Sequence, residues 1–98
     1  MNSSSLQFLG LVKRAGAIVV GDALMEAIRN KSVYVVLLSD RASERTQKQI
    51  KDKCAFYQIR LFDNIPGEHF TDIKGKTVSA IGINNQKMAS KIVRDEKR

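Results

Sequence analysis

Few residues in this chain could do chemistry, and their spacing argues against catalysis. One histidine, His69, and one cysteine, Cys54, fall on different predicted elements, so neither a zinc site nor a Cys-His pair has support. No GxGxxG, GxxxxGK or GxSxG occurs, which removes the nucleotide-binding and hydrolase signatures. Cys54 reads as a small apolar residue on a helix seam, and His69 as a surface or half-buried residue without a special role. What remains suits holding an anion or the edge of a base. Lys13 and Arg14 stand beside Gly16, a residue able to take the left-handed conformation that ends a helix. Gly21, Asp22 and Ala23 then open a second helix, whose first N–H groups have no internal acceptor. A carboxylate at that mouth repels phosphate, yet it accepts hydrogen bonds from a base amine such as guanine N1–H, which RNA internal loops expose. Asp40-Arg41 supplies a polar turn, and Lys74-Gly75-Lys76 a basic one. Each feature alone has a plain explanation: dipole complement for Lys13 and Arg14, sharp turn for Gly21, N-cap for Asp22, solubility for the lysines. Together they describe a surface on which cations hold a phosphate backbone while Asp22 and backbone groups read shape and base.

These residues need elements to position them. The serines at positions 3 to 5 offer N-caps for a first helix with Leu6, Leu9, Val12 and Lys13 on one face, widened by Phe8, Leu11 and Ala15. The apolar stretch 17–20 predicts a short covered strand, and residues 22–30 a helix with Leu24, Ala27 and Ile28 inward. Val33 to Leu38 reads as the central buried strand. Ser43 caps a long helix to Tyr57 with Ile50, Cys54 and Tyr57 on its seam, while Arg45, Lys48 and Lys51 form a solvated face. Ile59 to Phe62 is a strand, and Pro66 opens a brief helix through about Ile73. Thr77 to Ile83 is a last strand, in which Gly82 marks a bulge or a close approach. Asn84-Asn85 caps a final helix with Met88, Ala89, Ile92 and Val93 inward, and residues 94–98 should fray. Alternating helices and apolar strands with short connections predict an α/β fold, a three-layer α/β/α sandwich, as one domain over residues 1–98. In a mixed sheet, some of the junctions at its two ends meet to form one surface.

The bulk numbers agree with a folded chain that meets a polyanion. Hydrophobic residues make up 43% and charged residues 28%, outside the disordered range. Lys and Arg number 17 against 10 Asp and Glu, a net charge of +7, and nucleic acid is the first partner such a balance points to. A lone cysteine fits a reducing compartment, and no leader or membrane-length apolar run is evident, so the expected location is the cytoplasm.

Three stretches, LGLVKRAGAIVVGDAL, IRNKSVYVVLLSDRAS and QIKDKCAFYQIRLF, resemble the bacterial YlxQ-like branch of the L7Ae/L30e superfamily of ribosomal and kink-turn RNA-binding proteins. The resemblance covers about residues 6–93 and implies a mixed four-stranded sheet within the sandwich. It implies RNA contacts from Lys13, Arg14, Gly16, Gly21, Asp22 and Ala23, from Asp40 and Arg41, and from Ile73, Lys74, Gly75 and Lys76. It also implies a non-catalytic monomer without cofactor or metal, bound to ribosomal or other structured RNA, with ribosomal proteins as further neighbours. The chain departs from the superfamily's G-x-N-E-x-x-K motif, reading Gly21-Asp22-Ala23-Leu24-Met25-Glu26-Ala27, which implies a divergent RNA target rather than an unchanged kink-turn. The alternative is a protein-interaction module whose RNA site has diverged, marked by an exposed apolar patch around Phe70 and Ile73.

Overall fold

The computed structural model describes residues 3–73 and 75–96. Helix α1 (Ser3–Arg14) leads to β1 (Ile18–Val19), α2 (Asp22–Arg29) and β2 (Val35–Ser39). Then come α3 (Glu44–Tyr57), β3 (Arg60–Ile65), a one-turn 3-10 helix (Gly67–Phe70), β4 (Ala80–Ile83) and α4 (Gln86–Glu96). The strands form one sheet in the order β1-β4-β2-β3, antiparallel except for the parallel β2–β3 pair.

Alternation along β2 divides the core. Val35 and Leu37 point to one face, where they meet Leu9 and Val12 of α1 and Ala89 and Ile92 of α4. Val36 and Leu38 point to the other, against Leu24 and Ile28 of α2 and Ile50 and Cys54 of α3. Every residue of β2 is buried, which explains its unbroken apolar run. The result is the α/β/α sandwich with a mixed four-stranded sheet. Gly82 lies on the α2 face of β4 because the helix comes too close for a side chain: a Cβ there would sit 2.5 Å from Leu24 Cδ1 and 3.0 Å from Val33 Cγ1.

Caps set the element ends. Gly16 takes φ 71, its N–H donates to the Lys13 carbonyl at 3.1 Å, and the Ala17 N–H donates to the Val12 carbonyl at 3.2 Å, a Schellman closure of α1. Ser43 Oγ accepts from the Thr46 N–H at 3.2 Å, and Asn85 Oδ1 accepts from the Met88 N–H at 3.0 Å, so both predicted caps form.

Elsewhere the structure departs from expectation. Ser3, Ser4 and Ser5 lie within α1 rather than ahead of it, and Ser5 is buried. Leu11 and Ala15 face outward, since α4 and the sheet already fill the space under α1. The segment after Pro66 makes only one 3-10 turn, because Thr71 is extended and Asp72 takes φ 54. Strand β3 runs on to Ile65, and β4 begins only at Ala80. Helix α4 continues through Glu96 instead of fraying at Arg94: Ser5 Oγ donates to Glu96 Oε2 at 2.9 Å, and Lys91 pairs with Asp95 at 3.5 Å. The expectations for Lys74, Lys97 and Arg98 lie outside the described residues. Among the described residues no helix is long and apolar enough to cross a membrane, and no group of His, Cys, Asp and Glu is placed to hold a metal ion.

Candidate nucleic-acid interface

The mixed sheet decides which loops meet. β1 and β2 each pair antiparallel with β4, and β2 pairs parallel with β3, so β1, β2 and β3 share one direction. Their C-terminal ends and the start of β4 therefore lie along one edge, as Leu38↔Ala80 and Ser39↔Ile65 show. That edge carries Gly21, Asp22 and Ala23 after β1, Asp40 and Arg41 after β2, Gly67 after β3, and the segment 75–79 ahead of β4.

Each loop is braced locally. Gly21 takes φ 66 and ψ −144 as the N-cap of α2, with no side chain capping the helix. Asp22 is thus the first helical residue rather than the cap. The mouth of α2 opens outward with its early amides uncapped by any side chain, and Gly21, Asp22 and Ala23 are all exposed. Asp40 ties two loops together: its N–H donates to the Ile65 carbonyl at 2.8 Å, and its Oδ1 accepts from the Gly67 N–H at 3.0 Å. The Arg41 side chain lies across Gly67, whose missing Cβ leaves room for it; a Cβ there would collide with Arg41 Cδ. Ile73 and Lys76 close a tight hairpin, with N···O distances of 2.7 and 3.0 Å, and Gly75 takes φ 79 at its tip. Lys76 is exposed, whereas Ile73 is turned into the core and offers no side chain to a partner.

Between the mouth of α2, α3 and the segment 77–80 lies a recess of about 380 Å³. Leu24, Ile50, Val78 and Ala80 supply its apolar lining, and Asp22, Thr46, Gln49, Thr77 and Ser79 its polar groups. An apolar hollow with a few convergent hydrogen-bonding groups has the general form of a small-ligand site.

The first basic corner is placed differently. Gly16 precedes β1 and lies at the opposite end of the sheet, where the Ala17 carbonyl accepts from the Asn84 N–H at 3.1 Å. Arg14 is exposed there. Lys13 is half-buried, and its Nζ donates to the His69 carbonyl at 2.6 Å, binding α1 to the 3-10 turn. Burial lowers the Lys13 pKa from its usual 10.5. The unfolded chain therefore binds this proton more tightly, and the Lys13 contribution to stability rises as pH climbs through the folded-state value toward 10.5. Lys13→Met is expected to lose about 1 kcal/mol at neutral pH, the worth of a part-exposed charged hydrogen bond. Urea unfolding of both proteins across the alkaline range should show the deficit growing with pH.

No protein-family model matches the chain. The protein named "RNA-binding protein YlxQ" from Enterococcus faecium is 33% identical over 88 residues, covering 89% of this chain and 85% of that one. The chain belongs to the YlxQ family. A second YlxQ, from Bacillus subtilis and also named an RNA-binding protein, is 42% identical over 52 residues, about half of each chain. A solved structure of a protein of unknown function from Bacillus halodurans superposes with a TM-score of 0.86 at 27% identity, covering 99% of this chain and all of that one.

The recess includes residues that sequence reasoning missed: Met25, Thr46, Gln49, Thr77 and Ser79. Thr46 and Gln49 stand one turn apart as uncharged interruptions of the basic surface of α3, the one signal that could have found them. The apolar patch expected of a protein-interaction module is absent at its predicted place, since Phe70 is 0% and Ile73 5% exposed. Cys54 is buried on the α3 seam, and burial pushes its thiol up to about 11, so it is no nucleophile at neutral pH.

Proposed function

We propose that this chain is a non-catalytic RNA-binding protein that holds an internal loop or bulge of a structured RNA at the sheet edge carrying Gly21, Asp22, Ala23, Asp40, Arg41, Gly75 and Lys76. The observation that carries this reading is the recess at that edge, which opens beside the uncapped mouth of α2. Its size lies in the range of small-ligand pockets, roughly 300–1,000 Å³. One unstacked base fits it, with the Asp22 carboxylate accepting from a base amine and the α2 amides donating to a base carbonyl or a phosphate oxygen. Lys76 follows the tip of the hairpin that leads into Thr77, and Arg41 leaves the same edge across Gly67; on this reading both hold flanking phosphates. Lys13 acts at one remove, steadying the 3-10 turn whose last carbonyl, on Phe70, accepts from the Val78 N–H.

The names of the relatives from Enterococcus faecium and Bacillus subtilis support RNA as the partner. The L7Ae/L30e-like kinship, a monomeric state, a place in the cytoplasm and association with ribosomal RNA and its proteins belong to the same reading. The replaced G-x-N-E-x-x-K motif favours a target other than a standard kink-turn. The test is to offer the purified chain total cellular RNA and, separately, a lysate stripped of RNA. RNA retention with a salt slope of about 0.7–0.9 log units per decade for each phosphate neutralised is the expected result. Retention of protein from the stripped lysate, with no RNA held at moderate salt, would sink the reading.

A further inference from the structure

A second concavity, of about 430 Å³, lies at the opposite end of the sheet between α4 and the segment entering β2. One wall is Tyr34, and the other is the stripe Gln86, Ala89, Ser90, Val93 and Arg94 of α4. Those five occupy i, i+3, i+4, i+7 and i+8, one continuous face of the helix. The small Ala89 and Ser90 leave a slot facing Tyr34, which is 45% exposed. The Tyr34 backbone is fixed, its N–H donating to the Ile83 carbonyl at 2.9 Å, so the ring is carried on a rigid base.

The one charged residue lining this slot is a cation, Arg94. Both carboxylates of α4 are occupied elsewhere: Asp95 with Lys91 at 3.5 Å and Glu96 with Ser5 at 2.9 Å. Arg94 lines the slot and has no ion-pair partner among the described residues. Arg60 lies opposite Val35 in the sheet, one residue along from Tyr34, and Lys31 precedes it in the loop; both are exposed. An aromatic face, a guanidinium, an amide and a hydroxyl around a slot in a cationic field form a stacking platform with a phosphate clamp.

We infer that the Tyr34–Arg94 groove binds an unpaired nucleotide of RNA, its base against the Tyr34 ring and its phosphate on Arg94. The groove is a second RNA-binding surface, at the far end of the sheet from the recess beside α2. The inference rests on the reading of RNA as the partner and is independent of where the first site lies. An acidic peptide would satisfy Arg94 but leave the flat slot beside Tyr34 without a complementary group.

The test is a heteronuclear NMR titration of the full chain with hexa-adenylate, repeated with hexaglutamate. Amide shifts at Tyr34, Ser90 and Arg94 are expected with hexa-adenylate alone. Tyr34→Ala should weaken that binding about tenfold while Tyr34→Phe retains it, because stacking needs the ring and not the hydroxyl. Arg94→Gln should lower the salt slope by about 0.7 log units per decade. Shifts confined to residues 21–25, 46–49 and 77–79 would overturn this inference and leave the first site standing. Shifts at the groove alone would uphold it and leave the first site, which is read as taking structured RNA, to its own test. Groove shifts with hexaglutamate and none with hexa-adenylate would assign the groove to acidic peptides and overturn the inference. No shift anywhere with hexa-adenylate would overturn it as well.

Discussion

Reversing Arg41 and Lys76 together to glutamate is expected to weaken binding of structured RNA about a hundredfold at ~0.1 M salt, on the function proposed above. Each neutralised phosphate carries about 0.7–0.9 log units per decade of salt, so removing two cations from the backbone accounts for most of that factor, and two new carboxylates repel it further. Both side chains are exposed and neither pairs with a carboxylate among the described residues; the one packing contact removed is that of Arg41 across Gly67, so the fold should be kept with only a small loss of stability. The same charge change at Lys48 and Lys51, on the outward face of α3, is the control. Lys51 pairs with Asp63 at 3.1 Å, but the pair is about half exposed and breaking it has little effect on stability. The control should cost only the few-fold loss that follows from lower net charge. Equal losses from both pairs, measured by filter binding across a salt series, would show that the +7 charge acts as a diffuse cloud without a localised edge.

How far the sequence can be read depends on whether a residue's role is set locally. Gly16, Ser43 and Asn85 act on the turn of chain beside them, and their caps form where local patterning places them. The unbroken Val35–Leu38 run marks the central strand for the same reason. Residues whose neighbours are distant in sequence are harder. Nothing near Lys13 indicates that its ammonium is satisfied by the His69 carbonyl, and Leu11 follows the apolar pattern of α1 yet is 51% exposed. Ile73 sits by sequence in the basic turn that it closes, but its side chain belongs to the core. The site shows the same division. Gly21, Asp22 and Ala23 can be picked out because a glycine before a helix start is a local event. Whether Gly16 and Gly21 face one partner depends on strand direction, and only the register of β1 against β4 separates them. The recess residues Thr46 and Ser79 are brought together by α3 and the entry to β4, elements far apart in the chain.

Gly82 links that packing to the site, and filling it should produce the largest loss of stability from one added methyl. The Cβ of Gly82→Ala would stand 2.5 Å from Leu24 Cδ1 and 3.0 Å from Val33 Cγ1. Val33, 1% exposed, has no open space to move into, and Leu24, 2% exposed, can yield only toward the recess that it lines. Overpacking of this kind costs about 1–3 kcal/mol. For a domain of this size each kcal/mol lowers Tm by about 4–8 °C, so a fall on the order of 10 °C is expected. Leu24→Ala alone should cost about 2–5 kcal/mol through the cavity it leaves. The two changes together should cost clearly less than their sum, because each supplies the space the other lacks, and thermal melts of all four proteins measure the coupling. Additive losses would mean that the methyl is accommodated elsewhere. RNA affinity gives an independent readout. Leu24 lies in the first turn of α2, two residues after Asp22, so a helix pushed off the sheet carries the Asp22 carboxylate and the early amides with it. Gly82→Ala should therefore weaken RNA binding even at temperatures where the protein stays folded, and the double variant should recover part of that loss.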